Sequence, residues 1–280
     1  MTHSVTFGKE DGPFYFQHIQ RSGSFERTNH MHDVYELYYL YHGERMYFIK
    51  DHAYLITPGD LVLIKRRELH ATADSDKLGH ERVVMNFSES FLGSATVEIP
   101  YLLDAFAQGT PVLQLEPAFR PTVEAIFQKM MSEIKEPLLG QHFLLRQYLI
   151  ELLLLTARYV RMHPVQAPEH LSPLHEKISK IVQYINAHYM ENIRLEDVAE
   201  RFHMNPTYVS RMFKRVTGFA FVEYIHLVRI QEAQRLLATT TIKVIDIADQ
   251  VGFGSLVQFG RVFREICKTT PLRYRRASRM

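Results

Sequence analysis

Leu195-Glu196-Asp197-Val198-Ala199-Glu200-Arg201-Phe202 and Val244-Ile245-Asp246-Ile247-Ala248-Asp249-Gln250-Val251 stand 49 positions apart and carry one pattern. Leu195, Val198, Ala199 and Phe202 fall at i, i+3, i+4 and i+7, and so do Val244, Ile247, Ala248 and Val251. That spacing lines one face of a helix. Each short helix is followed by a turn and a second helical stripe: Val209, Met212, Phe213 and Val216 in the first copy, Phe259, Val262, Phe263 and Ile266 in the second. Between the copies runs Phe219–Ala238, helical in pattern throughout. Two helix–turn–helix copies on one long connector define an all-α C-terminal fold. The predicted helices are Ile178–Tyr189, Leu195–Phe202, Pro206–Val216, Phe219–Ala238, Val244–Val251 and Ser255–Lys268.

The second helix of each copy has a face left over. In the first it carries Thr207, Ser210, Arg211 and Lys214; in the second, Val257, Gly260, Arg261 and Arg264. A helix with one stripe in the core and an arginine on the exposed stripe suits the major groove, where arginine bonds guanine O6 and N7 together. Lys214, Arg215 and Arg264 sit in later turns, placed for phosphates. An ordinary solvated face would look the same on one helix; the matched pair favours nucleic acid. The 20-residue connector would span about 30 Å, close to the roughly 34 Å between successive major-groove faces on one side of a duplex.

Working outward, charge divides the chain. Residues 171–280 hold 17 Lys and Arg against 10 Asp and Glu, a balance of +7; residues 1–170 hold 16 against 21, a balance of −5. The overall +2 hides this asymmetry, which favours an anionic partner for the C-terminal part. The 280 residues suggest two domains. A hydrophobic fraction of 46% excludes a disordered chain, and a lone cysteine, Cys267, excludes a disulfide framework or a multi-cysteine zinc module. The first ten residues lack an apolar signal core, and Leu149–Leu155 is too short and too charged to span a bilayer. The expectation is a soluble, cytoplasmic protein without a membrane partner. Three prolines in His163–Pro173 mark the join. The expected division is residues 1–165, a linker at 166–173, and residues 174–280.

The first hundred residues read as short strands: Phe14–Ile19, Tyr35–Tyr41, Arg45–Ile49, Ala53–Thr57, Leu61–Lys65 and Arg82–Phe87. Turn residues at His42-Gly43-Glu44 and Pro58-Gly59-Asp60 separate several of them. Many closely spaced strands predict a barrel or sandwich. Pro121–Ile134 and Gly140–Arg161 then turn helical. Leu145, Leu149, Leu152, Thr156 and Tyr159 track one face of the second helix, a dimer surface or a face packed on the barrel. Positions 30, 32, 36, 38 and 40 share parity, so on one strand His30, His32, Glu36 and Tyr38 would point to one side. His70 would complete a set of three imidazoles and a carboxylate, suited to a divalent metal or to hydrogen bonding an organic ligand. Lys65-Arg66-Arg67 would favour an acidic or phosphorylated ligand if it faced the barrel mouth.

Residues 178–276 resemble the AraC/XylS DNA-binding domain. The resemblance rests on Leu195–Ala199, Arg211-Met212-Phe213-Lys214, Arg229–Leu237, Ile247-Ala248-Asp249-Gln250-Val251-Gly252-Phe253, Phe259–Arg264 and Thr270-Pro271-Leu272-Arg273-Tyr274-Arg275. It implies a bacterial transcription regulator that binds double-stranded promoter or operator DNA, with Thr207, Ser210 and Arg211 reading one groove segment and Val257, Gln258 and Arg261 the next. Gln258 and Gly260 depart from the family's usual residues, so the second helix is expected to read fewer bases. His30-x-His32-x3-Glu36-x6-Gly43 and Gly59-x5-Lys65-x-Arg67-x2-His70-x3-Asp74 resemble the two halves of a cupin signature. The second half lacks the usual proline, glycine and asparagine at Lys65, Arg67 and Asp74.

The expected whole is an α+β multidomain protein: an N-terminal cupin-like β-barrel with following helices, then a C-terminal all-α domain with two helix-turn-helix units. His30, His32, Glu36, Tyr38 and His70 are the candidate effector-binding residues. His30, His32, Glu36 and His70 are the candidate ligands should a divalent metal bind; no cofactor is otherwise expected. The effector class considered is a carbohydrate or derivative. A homodimer and contact with RNA polymerase complete the expected partners. The expected role is not enzymatic; the alternative is a metal-dependent cupin enzyme carrying a DNA-binding domain.

Overall fold

A computed structural model describes residues 3–23, 28–30, 32–74, 79–93, 99–107, 110–163 and 172–279, without the side chains of 28–30 and 74. The chain divides into two units, Met1–Leu171 and Ser172–Met280.

The first unit is a β-sandwich with helices. Its strands are β1 (His3–Gly8), β2 (Phe14–Arg21), β3 (Thr28–His30), β4 (Tyr35–Gly43), β5 (Arg45–Ile49), β6 (His52–Ile56), β7 (Asp60–Ile64), β8 (His70–Asp74), β9 (His80–Phe87) and β10 (Val112–Gln114). The helices are α1 (Glu89–Leu92), α2 (Ile99–Leu102), α3 (Asp104–Ala107), α4 (Arg120–Lys135) and α5 (Gln141–Met162). One sheet has the order β1-β2-β9-β4-β7-β10 and the other β3-β8-β5-β6. Every pairing is antiparallel.

Alternation along the strands builds two cores. Leu37 and Tyr39 on β4, with Phe14, Phe16, Val83, Met85 and Phe87 beside them, pack under the helices. Tyr38 and Leu40 point the other way, to the second sheet, and meet Tyr47, Ile49, Ile56, Val62 and Ile64. Each such side chain, fully buried, contributes about 1.5–3 kcal/mol.

Three expectations change here. The two ladders share no hydrogen-bonded pairing among the described residues, so the cupin-like unit is an open sandwich rather than a closed barrel. The edges are short: β3 and β10 have three residues each. His30 and Glu36 do not share a strand: β3 ends at His30, and His32 lies in the segment before β4, its carbonyl accepting from Arg67 N at 2.7 Å. Their strands belong to different sheets, β3 to the four-stranded one and β4 to the six-stranded one. Leu145, Leu149, Leu152, Thr156 and Tyr159 are all buried against this unit's own core, so that face of α5 is not a free dimer surface.

Of the expected linker, residues 166–171 lie outside the described residues. Ser172 and Pro173 do not continue it. Ser172 is the N-cap of α6 (Pro173–His188), its hydroxyl accepting from His175 N, and Pro173 takes N1, where a missing N–H costs nothing. The rest of the second unit is α7 (Leu195–Arg201), α8 (Pro206–Thr217), α9 (Phe221–Thr239), α10 (Val244–Gln250), α11 (Leu256–Cys267) and α12 (Pro271–Ala277), the last beyond the predicted set. The repeat is visible in the backbone: Met204 N donates to Ala199 O at 2.8 Å and Phe253 N to Ala248 O at 2.9 Å, 49 residues apart. In the second turn Gly252 has φ +86°, and a Cβ there would stand 2.5 Å from Met190 O, so only glycine fits. Connector α9 packs against α10, α11 and α12. It is pinned by Arg229, which donates to Tyr189 O and Glu191 O at 2.7 Å each.

Candidate nucleic-acid interface and ligand pocket

Helix α8 starts where its sequence says it should. Asn205 caps it, accepting from Thr207 N at 2.9 Å and Tyr208 N at 3.3 Å; Pro206 takes N1, and Gly218 closes the far end in the left-handed conformation. Val209, Met212, Phe213 and Val216 are buried. That leaves Thr207, Arg211, Lys214 and Arg215 exposed and Ser210 half-buried beside them.

Helix α11 repeats the arrangement. Ser255 caps it through Gln258 N at 3.2 Å, and Phe259, Val262 and Phe263 are buried. Val257, Arg261 and Arg264 are exposed, and Gln258 and Gly260 half-buried. A shallow depression on this face is bounded by Leu256, Val257, Gly260, Arg261, Arg264 and Glu265. Val257 is 83% exposed, an apolar group suited to a thymine methyl. A Cβ on Gly260 would meet nothing within 4 Å, so this face of α11 is open where α8 carries Ser210. The basic C-terminal tail is partly committed inside its own unit: Arg275 and Arg279 donate to the carbonyls of Ile242 and Thr240.

Between the two sheets lies a cavity of about 330 Å³. His32, Glu36 and Tyr38 line it, and the rest of the wall is Glu10, Asp11, Tyr15, Gln17, Arg45, Tyr47, Thr72, Arg82, Val84 and Asn86. Buried His70 stands behind Glu36, its Nε2 at 3.7 Å from Glu36 Oε2. His32 Nε2 lies 3.1 Å from the same oxygen. Both rings are oriented from behind: His32 Nδ1 lies 2.9 Å from Val34 O and His70 Nδ1 2.8 Å from Glu68 O. A ring nitrogen that donates to a carbonyl turns the other nitrogen toward the carboxylate. Burial alone would raise the Glu36 pKa, but hydrogen bonds and charge from His32 and His70 outweigh it and hold the carboxyl well below its usual range. Burial would lower the His32 pKa, and its bond to Glu36 reverses the sign and raises it. His32, Glu36 and His70 can present ligand atoms within 4.8 Å of one another. The side chain of His30 lies outside the described residues; its backbone pairs with that of His70.

The Lys65-Arg66-Arg67 expectation does not hold for its arginines. Arg66 and Arg67 both bind Asp33, at 2.9 and 3.0 Å, and Arg66 also reaches Glu89, so this turn is tied into its own ion-pair network. The cavity's arginines are Arg45 and Arg82, which sequence reasoning missed. The signal was present: Arg82, Val84 and Asn86 alternate with the core residues Val83, Met85 and Phe87, which places a charge on the inner face of a central strand.

Residues 16–153 match the AraC-like ligand binding domain, and residues 198–277 match a helix-turn-helix domain; together they account for well over half of the chain. Regulatory protein PocR of Salmonella typhimurium is 35% identical over 104 residues, 37% of this chain and 34% of PocR. The HTH-type transcriptional regulator YfiF of Bacillus subtilis is 24% identical over 247 residues, 86% of this chain and 76% of YfiF. This chain thus spans about a third of PocR's length and about three quarters of YfiF's. The C-terminal domain of AraT, a response regulator from Geobacillus stearothermophilus, aligns at 31% identity with a TM-score of 0.38, over 40% of this chain and 91% of that domain. With both its β-rich and its helical part matched, the chain belongs to the AraC-like helix-turn-helix transcriptional regulators, an AraC-like ligand binding domain followed by a DNA-binding helix-turn-helix domain.

Proposed function

We propose that the chain acts in the cytoplasm as a one-component regulator, binding promoter or operator DNA through α8 and α11 in answer to a small molecule held between its two sheets. One observation carries the reading: two repeated helix-turn-helix units each leave a polar, basic helix face outside the core. Thr207, Ser210 and Arg211 read one groove segment; Val257, Gln258 and Arg261 read the next. Lys214, Arg215 and Arg264 take phosphates. His32, Glu36 and Tyr38 contact the effector, and His70 fixes Glu36. The protein works as a homodimer and through RNA polymerase, and it regulates rather than catalyses. Leu138, Leu139 and Phe143, exposed around the start of α5, support a subunit contact there in place of the buried face. Footprinting of the promoter-proximal DNA with the full chain, with and without effector, tests the reading. Protection at two groove segments one helical turn apart supports it, and binding without sequence preference overturns it.

A second reading has a specific observation behind it. His32, Glu36 and His70 supply two imidazoles and a carboxylate, a donor set that fits a divalent transition metal. A metal there would order the cavity wall. Elemental analysis of the purified full chain, before and after dialysis against chelator, decides it: a stoichiometric ion supports the reading, and none after loading overturns it.

A further inference from the structure

Arg82 sits on β9, flanked by β2 and β4 in the middle of the six-stranded sheet, and it faces inward. A cation on the inner face of a central strand is costly unless something answers it. Gln17 answers part: Arg82 Nη2 donates to Gln17 Oε1 at 3.0 Å. Arg82 Nη1 is buried with no hydrogen-bond partner, and no carboxylate among the described residues stands within ion-pair distance of this guanidinium. Arg45 enters the same cavity from β5 on the facing sheet and is 3% exposed. Two further cavity atoms, Tyr38 Oη and Asn86 Oδ1, are buried without a partner. Arg82 lies 5.9 Å over the Tyr38 ring.

We propose that the effector is a hydroxylated carboxylic acid, its carboxylate held by Arg82, with Arg45 adding positive charge from the facing sheet, and its hydroxyls by Tyr38 and Asn86. The proposal rests on the reading of the sandwich cavity as the effector site. A guanidinium matches a planar carboxylate in geometry as well as sign. A neutral sugar would satisfy the hydroxyl partners but leave Arg82 Nη1 unanswered. The acidic groups on the wall do not cancel this preference. Glu36 is engaged by His32 and His70, and Glu10 and Asp11 are exposed to solvent screening. At about 330 Å³ the cavity is at the small end of ligand sites, sized for a single hexose-like molecule.

The test is calorimetric titration of the full chain with matched probes: galactose against galacturonate, glucose against gluconate and glucuronate, and glucose 6-phosphate as the other anion. The expected result is that an acid binds and its neutral counterpart binds roughly tenfold more weakly or worse. Arg82→Gln should lose about the same factor, Arg82→Lys part of it, and Arg66→Gln, outside the cavity, none. The proposal is overturned if neutral sugars match the acids, if the phosphate is preferred, if no acid binds, or if both Arg82 variants bind the acid like the parent. Val84→Phe, which narrows the cavity, separates the two layers. A neutral ligand lost in that variant overturns the acid but keeps the site, whereas any ligand indifferent to it overturns the site itself.

Discussion

At the scale of single residues, the two helix faces make unequal demands. Arg211→Ala and Arg261→Ala should each weaken specific binding by about 1–3 kcal/mol and relax one base position, whereas Lys214→Ala should weaken all sequences alike and flatten the salt dependence. Competitive binding against base-substituted operators at several salt concentrations checks both. Gly252→Ala is a different kind of change. Its φ of +86° and the 2.5 Å approach of a Cβ to Met190 O should cost about 1–3 kcal/mol of stability, read as a lower denaturation midpoint. The exposure of Arg211 and Arg261 was legible because the repeat sets each against a buried stripe. Arg82 is invisible to strand propensity, since only the alternation along β9 turns it inward.

At the scale of elements, α11 departs from α8 at Gly260. Glycine inside a helix costs roughly 1 kcal/mol relative to alanine, and a Cβ there meets nothing. Gly260→Ala should therefore raise stability by roughly that amount, while any loss of DNA affinity would mark close approach of the duplex to this face. Helix α5 behaves in the opposite way: Leu149→Ala removes a fully buried side chain and should cost about 2–5 kcal/mol, unfolding the sandwich unit rather than dividing a dimer. Sedimentation beside thermal melting tells the two outcomes apart. In α9, burial, with Arg229 and Arg261 adding to it, holds the His226 pKa below its ordinary 6.5. The unfolded chain therefore takes up that proton first, so stability should fall as pH drops through about 6.5, and less steeply in His226→Gln. Helices α4 to α11 were legible because caps and 3.6-residue periodicity are local; α1, α2 and α3, of four residues each, are too short to show that periodicity. Strands β3, β8 and β10 were not, because each owes its place to a partner distant in sequence, β3 to β8 and β10 to β7, and β1 was not because it is a polar edge strand paired only with β2.

At the scale of the whole molecule, the two-part organisation was legible from charge and proline content, and the meeting of His32, Glu36 and His70 from their cupin-like spacing, while the entry of Arg45 from the facing sheet was not, since no sequence spacing records how sheets stack. The connector α9, at 19 residues, spans about 28 Å. It is not free to pivot: the carbonyls of Tyr189 and Glu191 hold Arg229, and the carbonyl of Met190 between them leaves room only for Gly252. Three consecutive peptides thus fasten both the connector and the second turn. For the DNA this makes spacing a matter of grammar and base identity a matter of spelling. One inserted base pair turns the second segment by about a tenth of a helical turn, which the fastened pair of readers cannot follow. Affinity measured on a spacer series should therefore drop more steeply with one inserted pair than with any single base change, and functional sites should tolerate misspellings while keeping their interval.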